Sequence, residues 1–315
     1  METAMSKNSQ IRTEITNRII EALESGNLPP WRKPWANDAN AGFPRNVSSQ
    51  RSYSGVNPLL LTLASERHNL QSRWWATFKK WDNLGGKVMR RPKDVPSGQW
   101  GTKIVFCAPI SKTKIDDKGE EVEDKFFMLK TYTVFNIDQI EGDHLDYLRV
   151  GIGDDTRSGD IETFERADAA IAATEADIRF GGNKAFYDPL SDHIQVPRRE
   201  QFNGSDFYET ILHELVHWTE HKERLNWDRT TKGDHAYPLG ELIAEIGACY
   251  LCGELGVPMA DRIENHASYL KSWLSAMKQD AGFIFRATSQ ASKATDYILS
   301  FSQEPAEAVS EEATV

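Results

Sequence analysis

Residues 213–217 read His213-Glu214-Leu215-Val216-His217. Two imidazoles four residues apart on a helix lie on one face, about 6 Å apart along the axis at 1.5 Å rise per residue, which suits two ligands sharing one zinc ion. Glu214 between them is placed to act as a general base, taking a proton from a water that attacks a polarised carbonyl. The pattern therefore predicts a metallopeptidase. Its surroundings agree with a helix: Ser205 is the expected N-cap, and Phe207, Tyr208, Ile211, Leu212, Leu215, Val216 and Trp218 supply an apolar face running to about Lys222.

A catalytic zinc needs a third protein ligand. His221 continues the four-residue series, but three ligands over two turns span roughly 12 Å, beyond the reach of zinc bonds of about 2.1 Å. The metzincin pattern fails too, since its glycine and third histidine positions hold Glu220 and Glu223. A second helix, expected over Pro238 to about Glu254, carries Glu241 and Glu245 on one face. It resembles the glutamate helix of the gluzincin peptidases. By that resemblance Glu241 binds zinc and Glu245, one turn later, hydrogen-bonds a ligand histidine; the reverse assignment stays open. Residues 185–197, with an Asp188-Pro189 turn signal, predict a hairpin whose edge could take an extended substrate by strand addition. Between the two helices, His235 and Tyr237 are candidates for stabilising an oxyanion.

The 315 residues suffice for two domains with separate cores. With no apolar run approaching about 18 residues and no basic-apolar N-terminal signal, a soluble cytoplasmic protein without membrane partners is expected. Cys107, Cys249 and Cys252 make no disulfide framework, and Cys249-x-x-Cys252 lies within the second helix with no second pair, so core packing is expected for it. The net charge of −10 hides an asymmetry: residues 1–100 carry 15 Lys+Arg against 8 Asp+Glu, the remainder 22 against 39. A basic part on an acidic protein suggests nucleic acid as its partner. Six of nine tryptophans, Trp31, Trp35, Trp74, Trp75, Trp81 and Trp100, fall among these basic residues. Aromatics that stack on unpaired bases, with cations tracking phosphates, form a single-strand-binding groove, although tryptophans more often serve as core.

Along the chain, helices are expected near 9–25 (closed by Gly26), from Asn57 through Leu63, and from Thr77 to Gly85-Gly86. Lys103–Ile110 and Phe126–Phe135 flank the turn Asp116-Asp117-Lys118-Gly119 and predict a long hairpin. A glycine- and acid-rich stretch from about Glu141 to Asp160 reads as linker. After it come helices near 161–178, 259–280 and 290–301, and an acidic tail, 303–315, expected to be disordered. The fold class is thus α+β in two domains: an N-terminal α+β domain over 1–145, a linker over 146–159, and a mostly helical, gluzincin-type zincin-like domain with a small sheet over 160–302.

Ile15-Thr16-Asn17-Arg18-Ile19-Ile20, Pro30-Trp31-Arg32-Lys33-Pro34-Trp35, Pro44-Arg45-Asn46, Tyr53-Ser54-Gly55-Val56-Asn57, Trp75-Ala76-Thr77-Phe78, Leu84-Gly85-Gly86 and Tyr132-Thr133-Val134-Phe135-Asn136 resemble, in order, the N-terminal domain of the ArdC family of antirestriction proteins. The likeness continues through His213–His217 and Glu241–Ala248 and so covers nearly the whole chain. It departs near Arg91–Gln99, where Pro92-Lys93-Asp94-Val95-Pro96-Ser97-Gly98 replaces a lysine- and glycine-rich turn.

The resemblance implies a single-stranded-DNA-binding domain joined to a zincin-like metallopeptidase domain, carried on mobile elements such as conjugative plasmids and protecting incoming DNA from host restriction. Candidate DNA contacts are Trp31, Arg32, Lys33, Trp35, Arg45, Asn46, Arg51, Tyr53, Trp74, Trp75, Phe78, Lys79, Lys80 and Lys87. The expected centre is His213, His217 and Glu241 holding Zn2+, or another divalent ion such as Mn2+, with Glu214 and Tyr237 catalytic and Glu245 behind a ligand. The protein substrate is not named by the sequence; the host restriction machinery is the candidate. Two other readings stand beside this one: a DNA-coating protein whose metal is structural or regulatory, and a protease acting on DNA-bound proteins.

Overall fold

The computed structural model describes residues 6–25, 29–32, 38–115, 121–151, 164–202, 204–227, 236–259 and 267–302, with the backbone alone at 108–115, 121–127, 236 and 267–268. Lys33, Trp35, His235, Gly26, the turn 116–119 and the tail 303–315 lie outside the described residues. Among the described residues no helix is long and apolar enough to cross a membrane.

The N-terminal half runs α1 (Lys7–Glu24), β1 (Arg45–Asn46), α2 (Asn57–His68), β2 (Trp74–Thr77), α3 (Phe78–Asn83), β3 (Lys87–Val88), β4 (Thr102–Ile115), β5 (Glu121–Asn136) and β6 (Ile140–Glu141). Its main sheet has the order β1-β2-β5-β4, with β4 and β5 forming the expected long hairpin, and β3 pairs with β6. Thr77 caps α3 by accepting from the Lys80 N–H. Gly86 cannot be replaced by a larger residue without a clash, because a Cβ there would lie 2.6 Å from the Ile140 side chain.

The C-terminal half runs α4 (Glu165–Ala173), β7 (Asp177–Phe180), β8 (Phe186–Asp188), β9 (His193–Val196), α5 (Asp206–Trp218), α6 (Ala236–Leu255), α7 (Ala267–Gln279) and α8 (Phe283–Ser300). β8 and β9 make the expected hairpin, and β7 adds in parallel to β9. The helix expected over 161–178 ends at Ala173 because the chain turns at Glu175, which has φ +52°, to enter β7. Ser205 precedes α5 but makes no capping hydrogen bond; its backbone is already in the right-handed helical region. α8 begins at Phe283, well before the expected 290, because Phe283, Ile284 and Ala287 also belong to its buried stripe.

Two expectations about organisation change. Residues 143–148, read as linker, form a 3-10 helix whose Leu145 and Leu148 pack beside Trp81, and Arg149 donates to the carbonyls of Ile137 and Ile140 at 2.8 and 2.5 Å. The start of the supposed linker thus belongs to the N-terminal unit; residues 152–159 lie outside the described residues. The largest core also runs across both halves: Ile15, Ile19, Leu23, Trp31, Phe43, Leu59 and Leu60 share one cluster with α5, α6, α7 and α8, while two smaller clusters, around Trp81 and around Trp75, stay within the N-terminal half. The reason is that α6 is buried on every side from Leu242 to Gly253, so one set of neighbours cannot cover it. Polar ties cross the same seam, with Thr16 donating to the Ala281 carbonyl (2.8 Å), Tyr250 to the Gly55 carbonyl (2.8 Å) and Arg45 paired with Glu254 (2.5 Å).

α5 and α6 approach closely at Gly247, where a Cβ would lie 2.8 and 3.1 Å from the two Val216 methyls. Alanine would favour the helix by about 1 kcal/mol, but overpacking between two buried helices costs about 1–3 kcal/mol. Gly247→Ala should therefore lower the melting temperature, and Val216→Ala in the same chain should recover part of the loss. Thermal unfolding monitored by circular dichroism checks this; a stabilised single variant would mean the helices part without cost.

Candidate metal centre

α5 and α6 pack side by side and bring His213 and His217 against Glu241. His213 Nε2 lies 3.8 Å from Glu241 Oε2, and His217 Nε2 lies 3.7 Å from Glu241 Oε1. The two imidazole centroids are 5.0 Å apart with planes at 73°. Donors bound at about 2.0–2.2 Å around one tetrahedral ion sit roughly 3.3–3.6 Å apart. The three ligand atoms all lie within 4.8 Å of one another, so the set fits one divalent ion after a small contraction. Among the described residues it is the one such grouping. His221 stands outside it and accepts from the Glu223 N–H at 3.3 Å. Cys249 and Cys252 are core residues whose thiols burial pushes well above their ordinary pKa.

The ring nitrogens turned away from the ligand position face carboxylates. His213 Nδ1 lies 4.0 Å from Glu245 Oε2, and His217 Nδ1 forms a short hydrogen bond with Glu220. At His217 that carboxylate favours the proton on Nδ1 and leaves Nε2 facing Glu241. Glu245 therefore stands behind His213, with Glu241 at the centre. Glu220 was recognisable in the sequence only as a metzincin mismatch; its position three residues after His217, just past the end of α5, is the signal that could have found it. His217 also stacks on Trp227 at 6.3 Å and 26°.

Glu214, 8% exposed, sits on α5 between the two ligand histidines. Tyr237, 55% exposed, is one turn ahead of Glu241. A hydrogen bond with the Tyr269 hydroxyl (3.2 Å), partial burial and the Glu241 charge raise its phenol pKa.

Three residues expected at a DNA surface are elsewhere. Trp31 and Trp75 are 4% and 0% exposed, so their rings present no face to a base. Arg32, 2% exposed, pairs with Glu245 through Nε (2.5 Å) and with Glu209 through Nη2. Burial lowers its pKa, but Glu245 and Glu209 raise it more, and the net shift is upward. Arg45 is tied to Glu254, Asn46 accepts from the Ser48 and Ser49 N–H groups, and the half-buried Trp74 donates to Asn40 (2.8 Å). Burial pushes the Tyr53 phenol up to about 12. Arg51, Phe78, Lys79 and Lys87 are exposed, and Lys80 is partly so. Phe106 and Tyr147 are exposed aromatics of the same half that sequence reading did not single out.

Comparison with known proteins identifies both halves. Residues 9–135 match the model of the N-terminal domain of anti-restriction factor ArdC, and 165–290 that of a zincin-like metallopeptidase. The metal-free crystal structure of the antirestriction ArdC protein from the R388 plasmid superposes with TM-score 0.73 at 33% identity, covering 93% of this chain and 97% of that one. The chain belongs to the ArdC family of antirestriction proteins. The Mn(II)-bound structure of the same R388 protein gives 0.70 over 93% and 98%. An ion in that relative and the converging donors here both indicate a divalent-metal site. An uncharacterised Sinorhizobium fredii protein is 31% identical over 92% of each chain. An Escherichia coli DNA primase TraC is 33% identical over 92% of this chain, which spans 20% of the primase.

Glutamine at 241 and at 245 should separate the two acids. Glu241→Gln removes a ligand and should leave the protein largely metal-free, whereas Glu245→Gln should weaken binding by about 10- to 100-fold. Dialysis against graded chelator, followed by metal analysis, reads the order; the opposite order would make Glu245 the ligand.

Proposed function

We propose that this chain binds single-stranded DNA through its N-terminal half and carries a divalent-metal-dependent peptidase site, and that together they protect incoming plasmid DNA from host restriction in the cytoplasm. The observation that carries the peptidase reading is Glu214, an acid held nearly out of water between two ligand histidines. A purely structural metal needs ligands and no such neighbour. His213, His217 and Glu241 hold the ion, with zinc as the proposed metal and manganese as the alternative. Bound there, it supplies a Lewis acid that polarises a carbonyl and acidifies water. Glu214 takes the proton of the attacking water and returns it to the leaving amine. Tyr237 is proposed to hydrogen-bond the carbonyl oxygen as negative charge develops. The protein substrate is proposed to lie in the host restriction machinery.

The DNA reading rests on the basic balance of residues 1–100 and on the exposed Phe78, Lys79, Lys87 and Arg51. Phe106 and Tyr147 join Phe78 as proposed stacking faces in place of Trp31 and Trp75. The N-terminal unit is proposed to end near residue 151 and the zincin-like unit to begin near 164. The shared core makes the full chain the proper sample for both tests below.

Glu214→Ala should abolish peptide hydrolysis while metal content and DNA affinity persist, and His217→Ala should lose the metal as well. A proteolysis screen with and without single-stranded DNA, alongside metal analysis, checks this. Equal metal loss in the two variants would remove Glu214 from the role of base.

Single strands should bind more tightly than duplex, and the affinity should fall with salt as counterions are released. Phe78→Ala should weaken binding by about 1–3 kcal/mol, the range for one stacked base. Fluorescence anisotropy with oligo-dT and a blunt duplex of equal length reads both; equal affinities would rule out stacking as the basis.

A further inference from the structure

We propose that Arg32, supplied by the N-terminal unit, is a positioning residue of the metal centre. It bridges the two ligand helices and holds Glu245 against His213. Arg32 lies 177 residues before Glu209 and 213 before Glu245 in the chain, outside the matched zincin-like stretch. Its two partners occupy corresponding places. Glu209 is one turn before His213 on α5, and Glu245 is one turn after Glu241 on α6. One guanidinium thus contacts both ligand helices, each a single turn from a ligand.

The Glu245 carboxylate is divided between two neighbours. Oε1 accepts from Arg32 Nε at 2.5 Å, and Oε2 faces His213 Nδ1 at 4.0 Å. On the far side of that ring, Nε2 faces Glu241 at 3.8 Å. Fixing one oxygen of a carboxylate fixes where the other points, so Arg32 sets the group that orients the first ligand. A planar guanidinium can donate from two fixed nitrogens, here Nε and Nη2, to two carboxylates, which a lysine ammonium on its flexible stem cannot do in the same geometry.

The segment carrying Arg32 is itself held. Arg32 N–H donates to the Pro29 carbonyl at 2.8 Å, and the buried Trp31 ring packs edge-on against Trp273 at 6.1 Å. Lys33, the next residue, and Trp35 lie outside the described residues. The zincin-like unit therefore takes one group essential to its ligand geometry from the other half of the chain. This holds whether or not the site hydrolyses peptides.

The test uses the full chain and reads the dissociation constants of Zn2+ and Mn2+ by competition with a chromophoric chelator, together with the melting temperature of the metal-free protein. Arg32→Lys and Arg32→Gln should each weaken metal binding by about 10-fold or more, in the range of other groups behind metal ligands. Arg32→Gln combined with Glu245→Gln should bind no more weakly than Glu245→Gln alone, because Arg32 acts through that carboxylate. Should Arg32→Gln not fold, Arg32→Gln with Glu209→Gln removes one cation and one anion together and should show the same loss of affinity. A lower melting temperature with metal constants within twofold of the parent would overturn the proposal, as would losses that multiply in the Arg32/Glu245 pair.

Discussion

α5 and α6 are buried among their neighbours, yet they carry Glu209, Glu214, Glu241 and Glu245 between or beside apolar residues. A carboxylate taken from water without a partner is costly. The solution here is to converge the acids on imidazoles and on one guanidinium. Glu241 faces both ligand histidines, Glu245 lies between His213 and Arg32, Glu209 shares Arg32, and Glu220 takes His217. The packing that produces a metal site is the same packing that makes these charges tolerable.

This explains why the two halves are not independent. The N-terminal segment supplies the cation, and it must enter the interior to do so. α1, Trp31, Phe43 and α2 follow it into one shared cluster with the helices that carry the site. Close approach of α5 and α6 at Gly247 then leaves little slack, because the Val216 methyls occupy the space a side chain would need. Disturbance of the N-terminal core should be felt at the ligands through contacts that are short, buried and polar.

In the tryptophan-rich, basic N-terminal region, composition does not tell core side chains from surface ones. Trp31, Trp75 and Trp81 are core, and Trp74 and Trp100 donate to Asn40 and to the Met89 carbonyl. Large aromatics bury more area per residue than other side chains, and this half uses them to fill its interior. The cations divide likewise: Lys79, Lys87 and Arg51 face water, while Arg32 and Arg45 pair with acids of the other half.

The features legible in the chain are local and periodic. Helix spacing put His213 and His217 on one face and Glu241 and Glu245 on another, β-rich runs around a charged turn predicted the β4–β5 hairpin, and ordered motifs pointed to the family. Register along a single element is set by bond geometry, which neighbouring residues carry in full. Which face meets which came from packing. It brought Glu241 rather than Glu245 to within 4 Å of both His213 and His217, turned Arg32 from a surface cation into a buried one, and ran the largest hydrophobic cluster across both halves. Those outcomes depend on contacts between residues up to more than 200 apart, and on the cost of leaving any one charge unpaired, neither of which a stretch of sequence expresses.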